Sequence, residues 1–173
     1  MNYFKSLCEN NGSVGLMVGR FQPLTKAHTQ IIETISKEND SGIIFLVKGK
    51  DSSKDKEKNP FDVDIQQKLL KAVLPGNMSI VVLPSGFFVD YINELPESTF
   101  NIYAGTDRIK AYESFTKYMA EGKTLSIKEI VRGDDDISAT KVRNSLKEDD
   151  IESFKKLTDA RVHKFFEELK GYL

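Results

Sequence analysis

The chain has 173 residues, of which 39% are apolar and 29% charged, and its formal net charge is -1. A chain of this size suits one domain with a continuous core, and the composition excludes a fibrous repeat or a wholly disordered chain. The near-neutral charge removes any long-range pull towards nucleic acid, and Cys8, the only cysteine, excludes an internal disulfide or an all-cysteine metal site within one chain.

In chain order, MNYFKSLCENNG lacks the apolar core of a signal peptide. Nowhere do about 18 uninterrupted apolar residues occur as a membrane span requires, so a cytoplasmic protein is expected. GLMVG (15 to 19) has the length and β-branched content of a strand. Residues 26 to 38 follow with Ile31, Ile32 and Ile35 on one helical face. GIIFLV (42 to 47) predicts the next strand. VKGKDSSKDKEKNP (47 to 60) is crowded with lysine, and reads equally as a solvated loop or as a lid. NPF (59 to 61) then starts a helix, with Asn59 as its cap and Pro60 in its first turn, continuing over 62 to 73 through Ile65, Leu69, Leu70 and Val73. MSIVVL (78 to 83), FNIYAG (100 to 105) and LSIKEIV (125 to 131) are further strands, the last and least regular at an edge. Beyond residue 138 the period is wholly helical, through Leu146, Ile151, Phe154, Leu157, Val162, Phe165, Phe166 and Leu169.

Alternating strands and helices with right-handed crossovers predict an α/β, Rossmann-like open parallel sheet of about five strands with helices on both faces. The expected organisation is a single domain, with an α/β core over 14 to 137 and C-terminal helices over 138 to 173 forming a cap on the sheet.

Ligands of such sheets bind beyond the carboxyl ends of the strands. The first strand ends at Gly19, which places RFQPLTKAH at that edge. Gly19 permits close backbone approach and Pro23 stiffens the turn. Thr25 is a suitable N-cap, and His28 falls at the third helical position. Freed helix amides, the Thr25 hydroxyl, the His28 imidazole and the Arg20 guanidinium can converge on one anion, with Gln22 among them. A second constellation lies in DDDISATKVRNSL (134 to 146). Ser138 is a natural N-cap, and Thr140 and Arg143 stand three apart on one face, a second anion cradle in which the arginine fork holds another phosphate. The acids at 134 to 136 read as a solvated loop, and Lys141 as solvent-facing. In YAGTDR (103 to 108) Gly105 ends a strand. Asp107 either caps the following helix or contacts substrate, and Arg108 is either solvated or a substrate contact.

Taken together, these segments resemble the nucleotidyltransferase superfamily with the signatures (T/H)xGH and ISSTxxR. GRFQPLTKAH is similar to the GRFQPFHxGH turn of nicotinamide mononucleotide adenylyltransferases of the archaeal and bifunctional bacterial type, and of phage-encoded enzymes of that type. ISATKVR is similar to ISSTxxR, with NPF and GTDR between them in the same order, and the resemblance spans about residues 14 to 157. It implies attack by a phosphate monoester, such as nicotinamide mononucleotide, on the α-phosphate of ATP, giving NAD and pyrophosphate. His28 and Thr25 would then contact the phosphate chain at the reacting centre, and Arg20 and Arg143 the β- and γ-phosphates. Gly19, Phe21, Gln22, Gly105, Asp107, Ser138 and Thr140 would bind nucleotide, and Lys48, Lys50, Asn59 and Arg108 would serve as substrate or lid contacts. Mg2+ is expected with the triphosphate, bound through phosphate oxygens and water; no nucleic acid or membrane partner is implied, and the oligomeric state is open.

The chain departs from the pattern at Thr25, usually histidine in the adenylyltransferases, at Ala27, usually glycine, and at Ala139, usually serine. Gln66 and Gln67 stand where an arginine often follows NPF. These departures keep open a cytidylyl- or adenylyltransferase acting on another monoester, and a nucleotide-binding protein without catalysis.

Overall fold

In the computed structural model, which describes residues 12–48, 54–131 and 137–173, the strands are β1 (Ser13–Gly19), β2 (Ser41–Val47), β3 (Met78–Leu83), β4 (Thr99–Ala104) and β5 (Thr124–Glu129). They form one five-stranded sheet in the order β3-β2-β1-β4-β5, parallel throughout. This is the Rossmann-like α/β fold. The chain winds outward from β1 to β3 and crosses back to β4, so the order reverses between β1 and β4, the place where such sheets leave a crevice.

Helix α1 (Lys26–Glu38) coincides with the predicted segment. It lies close on β1 because position 15 is glycine: a Cβ there would overlap the side chains of Ile35 and Asn39. Helix α2 (Val63–Val73) starts later than NPF predicts. Asn59 does not cap it; Asp62 does, accepting from Ile65 N–H at 3.0 Å. Burial of the Phe61 ring, 4% exposed, holds the chain ahead of the first helical turn. Short helices α3 (Val89–Asn93) and α4 (Ile109–Phe115) cover the opposite face. Of the two, α3 has too few residues to show a period.

Two clusters sandwich the sheet. Met17, Ile44, Leu46 and Met78 pack with α1 and α2, whereas Val14, Leu16, Phe45, Phe100 and Ile102 pack with Phe88, Val89, Ile92 and Tyr112. Strand β5 is the predicted edge, with Thr124, Ser126, Lys128 and Glu129 exposed. The apolar run of β3 also lies at an edge, which its sequence alone does not show. The tail forms α5 (Ala139–Lys147), α6 (Ile151–Leu157), a 3-10 turn (Ala160–Phe165) and α7 (Phe166–Lys170). Its Val142, Leu146, Phe154, Val162, Phe166 and Leu169 join the α1–α2 cluster. The 3-10 turn docks on α2, so the cap sits chiefly on the helical layer. No helix among the described residues is long and apolar enough to cross a membrane.

One part of the α1 side stays open. The register pairs Asn101 with Ser126 and Tyr103 with Lys128, and alternation turns these four to the α1 face. Ser126 and Lys128 are exposed. Over β5 this face therefore presents exposed polar groups.

Candidate functional site

From Gly19 the chain turns through residues 20 to 24 into α1. Phe21 adopts φ 49°, a left-handed conformation that costs a non-glycine residue roughly 1–2 kcal/mol. Burial of its ring, 3% exposed, returns about 1.5–3 kcal/mol, so the turn is held by packing. The ring occupies the space beside Gly19, where a Cβ would lie 3.0 Å from it, and meets the His28 imidazole edge-on with centroids 5.1 Å apart. Gly19 and Phe21 thus support His28 from below; the closely approaching group at Gly19 is this ring.

Thr25 and His28 close a reciprocal capping box at the start of α1. The His28 backbone N–H donates to Thr25 Oγ1 at 3.4 Å, and the Thr25 backbone N–H donates to His28 Nδ1 at 3.0 Å. A backbone amide can only donate, so Nδ1 is the bare nitrogen and the neutral ring carries its hydrogen on Nε2. Thr25 Oγ1, also 3.0 Å from Nδ1, shares that lone pair. With Thr25 only 2% exposed, the imidazole is held as an Nε2–H donor.

The second constellation meets the first. Ser138 caps α5, accepting from Lys141 N–H at 3.2 Å. Arg143, half-buried, donates through Nη1 to the Gln22 carbonyl at 2.6 Å and through Nη2 to Thr140 Oγ1 at 3.1 Å. Burial lowers the Arg143 pKa, opposed in part by the carboxylates of Asp55 and Glu57, and a guanidinium stays charged all the same. Gln22 is a tie point: its Nε2 donates to the Phe61 carbonyl at 2.9 Å and its Oε1 accepts from Phe61 N–H at 3.0 Å. The amide of Gln22 is thereby spent on the segment before α2.

A cleft of about 850 Å³ opens beside this junction. One wall is a stripe of α1 (Ala27, Gln30, Ile31, Thr34, Glu38), with Thr25 and His28 at its head; the other is Tyr103, Gly105 and residues 127 to 131; Ile137, Ser138 and Ala139 stand at the start of α5. The predicted Thr25, His28, Gly105 and Ser138 are thus gathered in one cavity. Arg20 is exposed at the end of β1 and Lys48 just beyond β2. Asn59 folds back locally, its Nδ2 donating to the Asp55 carbonyl at 3.4 Å. Asp107 and Arg108 pair loosely at 3.9 Å with side chains 67% and 69% exposed. Asp107 caps no helix; it lines a smaller depression with Thr106, Glu129, Ile130 and Val131. Lys50 and the acids at 134 to 136 lie outside the described residues.

Sequence reading missed the far end of the cleft. The Tyr103 hydroxyl donates to Glu38 Oε2 at 2.5 Å and accepts from Asn39 Nδ2 at 3.1 Å, and Asn101 Nδ2 donates to Asn39 Oδ1 at 2.9 Å. Burial first, then the Glu38 carboxylate, raises the Tyr103 pKa, so the phenol stays protonated. The polar members of the α1 stripe, Gln30, Thr34 and Glu38, recur at helical spacing after His28, and this was the available signal.

Residues 16–145 match the family model described as cytidylyltransferase-like. A nicotinamide-nucleotide adenylyltransferase of Thermococcus sibiricus is 24% identical over 167 residues, covering 91% of this chain and 84% of that protein. Among solved structures, a bifunctional NMN adenylyltransferase/ADP ribose pyrophosphatase from Francisella tularensis superposes with a TM-score of 0.65 at 15% identity, covering 92% of this chain and 50% of that one. Thermotoga maritima TmcAL bound with alpha-thio ATP gives 0.59 at 10% identity, covering 90% and 55%. At such identities the structures establish the fold.

Proposed function

The chain belongs to the cytidylyltransferase-like family of nucleotidyltransferases, and from that premise we propose that it transfers the adenylyl group of ATP to nicotinamide mononucleotide, releasing pyrophosphate. The observation that carries this reading is the bond from the Arg143 guanidinium to the Gln22 carbonyl, which fastens the two signature segments to one rim. The adenylyltransferase of Thermococcus sibiricus supports ATP and nicotinamide mononucleotide as the pair.

In the proposed step a phosphate oxygen of the monoester attacks the α-phosphorus, the bond from that phosphorus to the bridging oxygen breaks, and pyrophosphate leaves with the electron pair. A phosphate dianion is already a competent nucleophile, so the chain need supply no general base. Its work is alignment and stabilisation of negative charge. His28 would donate from Nε2 to the α-phosphoryl oxygen that gains charge, held to that task by Thr25. The remaining N–H groups of Arg143, with Arg20, would hold the β- and γ-phosphates over the cap formed by Ser138 and Thr140. The groups at this end of the cleft are hydroxyls, an imidazole and a guanidinium, all suited to anions. They fit a triphosphate that brings Mg2+ on its own oxygens and waters.

The test is to incubate the protein with Mg2+, each nucleoside triphosphate in turn and a panel of phosphate monoesters, and to measure pyrophosphate. Release with ATP and nicotinamide mononucleotide, and NAD as the product, is the expected result. Release only with CTP, or only with another monoester, would replace the substrates and keep the chemistry; tight ATP binding with no release from any pair would overturn the catalytic reading.

A further inference from the structure

The sheet ends in two strands, and only one of them is built as an edge. On β5, Thr124, Ser126, Lys128 and Glu129 are exposed, and charged side chains on an edge strand discourage pairing with another chain. Strand β3 has no such protection. Residues 72 to 89, which contain it, carry no charge at all, the longest such run in a chain that is 29% charged. No proline falls within MSIVVL, and its ladder to β2 runs unbroken from Gly42–Met78 to Val47–Leu83, so no bulge turns it away. Ile80 packs partly on the α2 side, and Val81 and Leu83 partly on the other. This two-sided apolar pattern is that of an interior strand of a parallel sheet, yet Val82 is 36% exposed.

The backbone groups on the outer edge follow from the ladder. Gly42 N–H donates to the Asn77 carbonyl at 3.0 Å, and Lys48 N–H to the Leu83 carbonyl at 2.7 Å. Backbone groups alternate sides along a strand, so Asn77, Ser79, Val81 and Leu83 turn theirs to β2, and Met78, Ile80 and Val82 turn theirs outward. The Met78 N–H is spent on the Pro75 carbonyl at 3.1 Å. The Ile80 and Val82 amides and the carbonyls of all three are left for a further strand, and no strand among the described residues takes them.

A second copy of the chain fits this edge. A two-fold axis through Ile80 lays β3 antiparallel to itself: Ile80 exchanges both of its bonds with Ile80 of the second copy, and Val82 N–H reaches the Met78 carbonyl. The side chains set opposite one another are then Ile80 with Ile80 and Val82 with Met78, all apolar and on one face. Two-fold symmetry brings an edge against itself, so a charged edge repels its copy and a charge-free one does not. We propose that the chain forms a symmetric dimer in which β3 pairs with β3 of the second copy, joining the two sheets into one. The cleft lies over β4 and β5, on the far side of β1 from β3, so the pairing leaves it open in each copy.

The test is sedimentation equilibrium of the full chain over a dilution series, with exchange of the Ile80 and Val82 amides followed by NMR, on wild type, Ile80→Lys and Val82→Pro. Wild type is expected at twice the chain mass, and dilution to the monomer should speed exchange at both amides by about tenfold or more. Ile80→Lys sets two ammonium groups opposite each other across the axis. Val82→Pro deletes an outward N–H and none of the bonds to β2, a change that edge strands tolerate, so its circular dichroism should match wild type. Each substitution counts twice in the dimer, and the dissociation constant should rise at least about tenfold. A wild type that is monomeric at every concentration overturns the proposal and leaves the edge to a strand of a different protein. A dimer that folded Val82→Pro preserves, or one in which the Ile80 and Val82 amides exchange as fast as in the monomer, overturns it in favour of another face.

Discussion

The two helix starts that meet at the rim are built differently. At α1 the cap is closed and buried: Thr25 and His28 satisfy each other through both backbone and side chain, with the Phe21 ring beneath the imidazole. At α5 the cap is the bond from Lys141 N–H to a partly exposed Ser138, and stiffness comes from Arg143 reaching back to the Gln22 carbonyl. The first start is rigid by itself and aims a donor; the second is fastened to the first. A lesion at α1 should therefore strike the chemistry, and one at α5 the grip on the ligand.

The largest effect expected is that of His28→Ala. One lost transition-state donor costs on the order of 100- to 1000-fold in turnover. The Thr25 hydroxyl still accepts from the residue 28 backbone N–H, so the helix start survives. Pyrophosphate release at saturating substrates should fall on that scale while circular dichroism stays unchanged. Turnover within a few-fold of wild type would show that the α1 start is scaffold only.

Next comes Arg143→Ala, which should act mainly on binding. It removes the remaining N–H groups proposed to hold the phosphates, and each charge-assisted bond of that kind contributes about 1.5–3 kcal/mol when well formed. Triphosphate affinity measured by calorimetry is expected to fall at least tenfold, with a smaller loss in turnover at saturation. The reverse pattern, lost turnover with unchanged affinity, would erase the contrast between the two starts.

How far this contrast was legible beforehand follows from distance along the chain. Thr25, His28, Ser138 and Thr140 announce themselves locally, because caps obey rules that span three or four residues. Their meeting was also expected, since every strand of a parallel sheet opens at the same edge. Asn59 was misread because the burial of Phe61, which delays α2 to Asp62, is a tertiary contact. Gln22 was read as a nucleotide ligand, yet its amide is spent on the Phe61 backbone, 39 residues away. The Glu38–Tyr103 wall was invisible for a stronger reason: its members lie 65 residues apart and face each other only because β4 crosses over to pair with β1.

Thr25→Ala carries the comparison from chemistry to stability. The backbone N–H of residue 25 still donates to Nδ1, so the imidazole keeps its tautomer, and activity should fall less than in His28→Ala. A lost N-cap costs about 1 kcal/mol, and up to about 2 at buried sites. For a chain of this size each 1 kcal/mol lowers Tm by roughly 2–4 °C, so a shift of several degrees is expected in a thermal melt.

Ser138→Ala should be the mildest change. The same kind of bond is lost, but here the freed Lys141 N–H lies at a partly exposed helix start where water can take its place, which puts the cost near the low end, about 0.5 kcal/mol. Arg143 continues to hold α5 to the Gln22 carbonyl, so the helix stays in register with the rim. The melt should move by about 1–2 °C, with the sharper change in triphosphate affinity, because Ser138 lines the cleft. A shift as large as that of Thr25→Ala would mean that the α5 cap is as closed as the α1 cap, and that Arg143 is a second support for an already rigid helix.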